Sequence, residues 1–217
     1  FSGGMRQRVV IALAIALKPP LLIADEPSTS LDVFIANQIM TELASLCDDL
    51  GTALLLITHD LPLAARWCDQ MAILDCGKII EKTSTSLLLK DPQSEIAKRL
   101  VFAARAREGF EDSNRLHQMR TRVLEVERLR CWHPRSGWPW QSNWLKAVDQ
   151  VSFSISKGQT LGVVGASGCG KSTLCRALMG LVPIRGGVVK LEGQNLMNLN
   201  GSQLSQTRQS IQMVFQD

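Results

Sequence analysis

The stretch Gly165-Ala-Ser-Gly-Cys-Gly-Lys171-Ser172-Thr173 decides the fold. Its spacing is that of a phosphate-binding loop, G-x-x-x-x-G-K-[ST], in which glycines let backbone N–H groups turn toward phosphate oxygens. The residues assigned to an anionic phosphate chain are Gly165, Ser167, Gly168, Cys169, Gly170, Lys171, Ser172 and Thr173, with Ser172 also placed to ligate Mg²⁺. Leu161–Val164 before the loop is a short apolar run, and Lys171–Leu181 after it has helical spacing, so the loop marks a strand-to-helix turn. The helix N-terminus adds its dipole to the anion site. A glycine-rich turn with a chance Lys-Ser would lack those flanking elements.

A loop of this kind works with an acidic strand, and the candidate is Leu21-Leu-Ile-Ala-Asp25-Glu26. One carboxylate there can hold Mg²⁺, for which Asp25 is assigned, and the next, Glu26, can polarise an attacking water. Two acids before Pro27 would also suit a helix cap, but Ser30-Leu31-Asp32 follows and His59 ends the next apolar run in Ile57-Thr58-His59-Asp60. Glu26 and His59 are the expected catalytic pair. The order is unusual, because the acidic strand lies upstream of the phosphate loop. The sequence starts at Phe1 inside a Ser-Gly-Gly motif and stops at Gln216-Asp217. It is expected to be a section of a longer polypeptide.

At 217 residues and 45% hydrophobic content, the chain can bury a substantial core. The longest apolar run, Val9 to Leu17, is well short of the roughly 20 residues a membrane-spanning helix needs. A net charge of +4, with its cations concentrated between Lys98 and Arg135, argues against a nucleic-acid stripe, and no nucleic-acid partner is expected. The basic stretch Lys98–Arg130 reads as a solvated face. The 6 cysteines contain no Cys-x-x-Cys pair, which fits a reduced chain without a zinc site.

Met5–Leu17 reads as a buried helix stopped by Lys18-Pro19-Pro20. Leu21–Asp25 and Ala53–Thr58 read as buried parallel strands with a helix over Leu31–Leu50 between them. Met71–Leu74 and Lys78–Glu81 form a hairpin around Cys76-Gly77, and helices are expected over Ser84–Leu89 and Ser94–Arg107. Glu108–Arg122 loses apolar periodicity and is the linker. Beyond it, Val123–Leu129 and Leu145–Ile155 are strands flanking a Pro/Trp-rich loop.

Together these residues resemble one family, the ATP-binding cassette (ABC) ATPases. Ser2-Gly3-Gly4-Met5-Arg6-Gln7-Arg8 is similar to the signature motif, with Phe1 where Leu is usual and Met5 where Gln is commonest. Asp25 and Glu26 match the Walker B pair, Ser30-Leu31-Asp32 the D-loop, His59 the switch histidine, and Gly165–Thr173 Walker A. Gln216 after Met213-Val214-Phe215 matches the Q-loop glutamine, a nucleotide and Mg²⁺ contact. An aromatic residue before Walker A stacks on adenine in this family. Trp132 and His133 in Leu129-Arg-Cys-Trp-His-Pro134 both qualify, His133 by position and Trp132 by chemistry. Trp138, Trp140 and Trp144 are read as loop packing.

The resemblance implies an α/β P-loop fold with a mixed sheet and flanking helices. Residues 1–107 would be the C-terminal half of a first cassette and 123–217 the N-terminal half of a second, with 108–122 between. We expect the halves to join as one permuted cassette, placing Lys171 near Asp25 and Glu26, with His59 on the same pocket and Ser2-Gly3-Gly4 pointing away. The resemblance further implies ATP and Mg²⁺ as ligands and ATP hydrolysis as the activity. It implies peripheral attachment at the cytoplasmic face of the plasma membrane through permease subunits, with a solute-binding protein as an indirect partner. Ile73-Leu-Asp-Cys-Gly-Lys-Ile-Ile-Glu81 with Asp91-Pro92-Gln93 is similar to the tail of oligopeptide and dipeptide importers, although Ser94-Glu95-Ile96 departs from it. The rival readings are a soluble tandem ATPase acting on ribosomes or DNA, and a nucleotide-binding piece without turnover.

Overall fold

The computed structural model describes residues 3–28, 31, 33–105, 121–134, 144–199 and 201–215. Among them, the first segment runs α1 (Gly3–Ile15), β1 (Leu21–Asp25), α2 (Val33–Leu50), β2 (Ala53–Thr58), α3 (Leu61–Trp67), β3 (Gln70–Asp75), β4 (Lys78–Ser84), α4 (Thr85–Lys90) and α5 (Glu95–Arg105). The second runs β5 (Arg122–Pro134), β6 (Trp144–Ser156), β7 (Thr160–Val164), α6 (Lys171–Leu178), β8 (Gly186–Leu191), β9 (Gln194–Asn195), α7 (Gly201–Ser210) and β10 (Ile211–Val214).

Strands from both segments share one 6-stranded sheet in the order β10-β1-β2-β7-β3-β4. All its pairings are parallel except the β3–β4 hairpin. The acidic strand and the phosphate-loop strand are therefore not direct neighbours. β2 lies between them, with Leu55 paired to Ile23 on one side and Leu161 on the other. The two halves are joined through β2 rather than by direct pairing of β1 with β7. The second sheet is antiparallel, 4-stranded, in the order β6-β5-β8-β9.

Side-chain alternation on β1 separates the two cores. Leu21 and Ile23 point to a layer shared with α6 and the antiparallel sheet, where they meet Leu161, Leu174, Val148 and Val151. Leu22 and Ala24 point to the other layer, against α1 to α5 through Ile11, Ile39, Ala64 and Leu88. Every residue of β1, β2 and β7 is buried, which explains why these strands read as unbroken apolar runs. Because β2 lies between strands of the two segments, Leu55→Ala should cost about 2–5 kcal/mol. Denaturant unfolding should then lose stability in one transition that moves amides of β1 and β7 together. A loss confined to β1 would mean that the segments fold independently.

Four elements differ from the sequence expectation. α3 is absent from it, although Asp60 caps this helix by accepting from the Leu63 amide at 3.1 Å, with Pro62 in the first turn. α7 and β8 are likewise new; α7 is almost wholly polar and β8 opens on two glycines, so neither carries a period. α6 ends at Leu178 rather than Leu181, before the left-handed Gly180.

Candidate functional site

Asp25 is odd-numbered on β1 like Leu21 and Ile23, so the strand's alternation turns it toward α6. There the Ser172 hydroxyl hydrogen-bonds its carboxylate. The chain then turns left-handed at Glu26 (φ 51°), held by the Glu26 amide donating to Ile57 O at 2.9 Å. A left-handed non-glycine residue is sparsely populated backbone, and here it aims a second carboxylate into the same space. β2, one strand over, ends at Thr58 and delivers His59. Its Nδ1 lies 2.9 and 2.8 Å from the Glu26 carboxylate oxygens, and as the N–H tautomer it donates to them.

The phosphate loop arrives from β7. Lys171 Nζ donates to Gly165 O at 2.9 Å and Ala166 O at 3.1 Å, and lies 3.9 Å from Glu26 Oε1. Both charged side chains are nearly buried. Gly170 must be glycine twice over: it is left-handed (φ 111°), and a Cβ there would collide with the Ala147 carbonyl oxygen of β6. A cavity of about 810 Å³ follows, lined by Glu26, His59, His133, Lys146 and the loop from Ala166 to Thr173. Residues far apart in sequence thus meet: Lys171, Glu26 and His59 line one pocket, and Asp25 lies beside Ser172 without lining it.

Other predicted site residues fall differently. Gly4 packs against α2, where an added Cβ would meet Ile35, and Gly3 packs against Leu31 just before that helix; neither lines the cavity. Ser2, Gln216, Trp138, Trp140, Ser30, Asp32 and most of the 108–122 linker lie outside the described residues. Of the two adenine candidates, His133 lines the cavity and Trp132 does not. The Lys146 ammonium sits 5.2 Å above the Trp132 ring, and the indole Nε1 is buried without a partner among the described residues. Chemistry favoured the indole, but neighbours on β5 face opposite ways and it is the imidazole that lines the pocket. Lys146 itself was missed, because a single lysine in a strand carries no motif.

Asp25 is the electrostatic outlier. Burial pushes its carboxyl above the usual range, the Ser172 hydrogen bond pulls it down, and the adjacent Glu26 charge raises it again. Its Oδ1 is buried and accepts no hydrogen bond from the described residues. An ionised, under-satisfied carboxylate beside a serine hydroxyl suits a hard divalent cation such as Mg²⁺. A raised acid favours the folded state when protonated, so the burden on stability grows as pH climbs from the unfolded value of 3.8 through the folded one and is complete above it. Asp25→Asn should therefore raise the melting temperature of the nucleotide-free chain at pH 7, by ~2–4 °C for each kcal/mol of that burden removed. That gain should shrink toward pH 4. Thermal scans at both pH values check this, and a lower melting temperature at pH 7 would contradict it.

Comparison with known proteins bears on the same residues. The ABC transporter family model matches residues 1–29 and 148–217, which carry the acidic strand and the phosphate loop. The whole chain is 37% identical to an uncharacterized ABC transporter ATP-binding protein, YejF, of Escherichia coli (strain K12), covering 40% of that protein. Over its full length the chain is similar to ABC transporter ATP-binding proteins. It is also 35% identical over its full length to the peptidoglycan transport ATP-binding protein YejF of Agrobacterium fabrum, covering 39% of it. A third relative is the glutathione import ATP-binding protein GsiA of Pectobacterium atrosepticum, at 36% identity and 38% of its length. The chain thus spans about 40% of the length of these ABC relatives. Among the described residues no helix is long and apolar enough to cross a membrane.

Proposed function

We propose that the cavity binds ATP with Mg²⁺, and that in the parent protein, where each half is completed by its own cassette, the same residue set hydrolyses ATP to energise solute import. The observation that carries the reading is the Glu26 carboxylate held between His59 Nδ1 and Lys171 Nζ at the mouth of the phosphate loop. In this reading Gly165–Thr173 bind the phosphate chain through backbone N–H groups, Lys171 supplies a fixed cation, and His133 rather than Trp132 stacks on the base. Asp25 and Ser172 would hold Mg²⁺, which when bound neutralises phosphate charge. Glu26 accepts the proton of the attacking water, and His59, donating from Nδ1, keeps that carboxylate aimed. Burial of Glu26 excludes bulk water from the base. Gln216 is proposed as a further nucleotide and Mg²⁺ contact.

Residues 1–107 and 123–217 are inferred to be the back half of one cassette and the front half of the next, with 108–122 between them. Ser2-Gly3-Gly4 would then serve a nucleotide on another cassette, which is supported by the packing of Gly3 on Leu31 and of Gly4 on α2. Peripheral attachment to the cytoplasmic side of permease subunits, with a solute-binding protein acting through them, and a peptide-like solute are proposed by analogy with the named relatives. The ribosome- or DNA-directed alternative is not favoured, since those relatives are transport proteins. Phosphate release from Mg-ATP, measured for the parent protein with and without membranes holding its permeases, tests the reading. Turnover that rises with the permeases is expected; none under either condition would overturn it.

A further inference from the structure

Two lysines share one buried carboxylate at the rim of the cavity. Asp149 is 6% exposed, and its Oδ2 lies 3.8 Å from Lys146 Nζ and 4.0 Å from Lys78 Nζ. The two cations come from different elements, Lys146 from β6 and Lys78 from the start of β4. Their closeness depends on the β3–β4 turn pressing against β6. The Asp149 amide donates to Gly77 O at 2.7 Å, the Gly77 amide donates to Cys169 O of the phosphate loop at 2.9 Å, and a Cβ on Gly77 would meet Lys146 O at 2.6 Å. One hydrogen-bonded chain therefore ties this charge cluster to the phosphate loop.

The cluster carries one positive charge in excess, because a single carboxylate answers two ammonium groups. Both ion pairs sit at the outer limit of contact, and both lysine side chains are more than half exposed. Asp149 keeps a cation beside it if one lysine leaves. Of the two, only Lys146 lines the cavity. Its other partner is the face of Trp132, a contact of about 0.5–1 kcal/mol at an exposed site, so it is easily given up. A flexible four-carbon stem lets the ammonium move several ångströms without backbone change.

We propose that Lys146 is a further phosphate-binding residue of this cavity: it rests on Trp132 and Asp149, then turns to the phosphate chain of the entering nucleotide while Lys78 stays with Asp149. The proposal rests on the ATP-binding reading above and adds a second mobile cation to the fixed Lys171. The ligand class is a nucleoside polyphosphate, since charge rather than the base is what the ammonium recognises.

The test is titration of the full chain with Mg-ATP and with adenosine at low and high salt. Lys146→Gln should weaken Mg-ATP about tenfold at low salt, less at high salt, and leave adenosine unchanged. Lys146→Arg should keep most of the ATP affinity. Lys98→Gln makes the same charge change on α5, away from the cavity, and should have no effect. Mg-ATP should also change the tryptophan emission of the unsubstituted chain more than that of Lys146→Gln, because Lys146 leaves the Trp132 face. Equal ATP affinity of Lys146→Gln and the unsubstituted chain would overturn the proposal while leaving the phosphate-loop reading standing. Equal losses in Lys146→Gln and Lys98→Gln would overturn it as a mere net-charge effect. Failure of the unsubstituted chain to bind Mg-ATP at all would overturn both.

Discussion

Lys171→Ala is expected to abolish measurable Mg-ATP binding, weakening it by about 100-fold or more. The ammonium is almost fully buried, sits on two carbonyls of its own loop and lies 3.9 Å from Glu26. It is already desolvated and positioned before a phosphate arrives, so little ordering cost remains on binding. Charge-assisted hydrogen bonds made from such a site are each worth roughly 1.5–3 kcal/mol, and each 1.4 kcal/mol is a factor of ten. The same truncation removes the cation beside the buried Glu26 carboxylate, so the variant should be checked by circular dichroism before titration. Equal affinity of the substituted and unsubstituted chains would remove the phosphate loop from nucleotide binding.

Glu26→Gln should separate binding from turnover. The amide keeps the shape and still accepts from His59 Nδ1, so the 2.8 Å contact survives. It removes a negative charge next to Lys171, which favours the polyphosphate. Mg-ATP affinity should therefore be equal or tighter. The proton acceptor is lost, and general-base catalysis contributes about 10²–10⁴-fold, so hydrolysis at the site that Glu26 serves in the parent protein should fall by that order. Single-turnover kinetics with labelled ATP measure it. Unchanged turnover would make Glu26 a structural acid.

Much of this site was legible in the sequence because its chemistry needs fixed residue types at fixed spacing. Gly165 to Thr173 announces a phosphate cradle, and Asp25-Glu26 at the end of an apolar run announces paired carboxylates. The buried strands β1, β2 and β7 were legible for a related reason: burial on both faces leaves an uninterrupted apolar run. What was not legible depends on tertiary pairing. That β2 separates β1 from β7 is a fact of sheet order, which no local pattern encodes. The choice between Trp132 and His133 turns on which face of β5 meets the pocket, and no local pattern says which of two neighbours that is. Lys146 gains its place only because Gly77 and Ala147 bring two elements of distant sequence into contact with the phosphate loop.

The central claim is that one nucleotide site is assembled from both segments of the chain, Glu26 and His59 from the first and Gly165–Thr173 from the second. Amide hydrogen exchange with and without Mg-ATP tests it most directly. The account predicts protection of residues 165–173 together with residues 24–28 and 57–60, lost together in Lys171→Ala. Protection confined to residues 165–173, with the first segment unchanged, would contradict it.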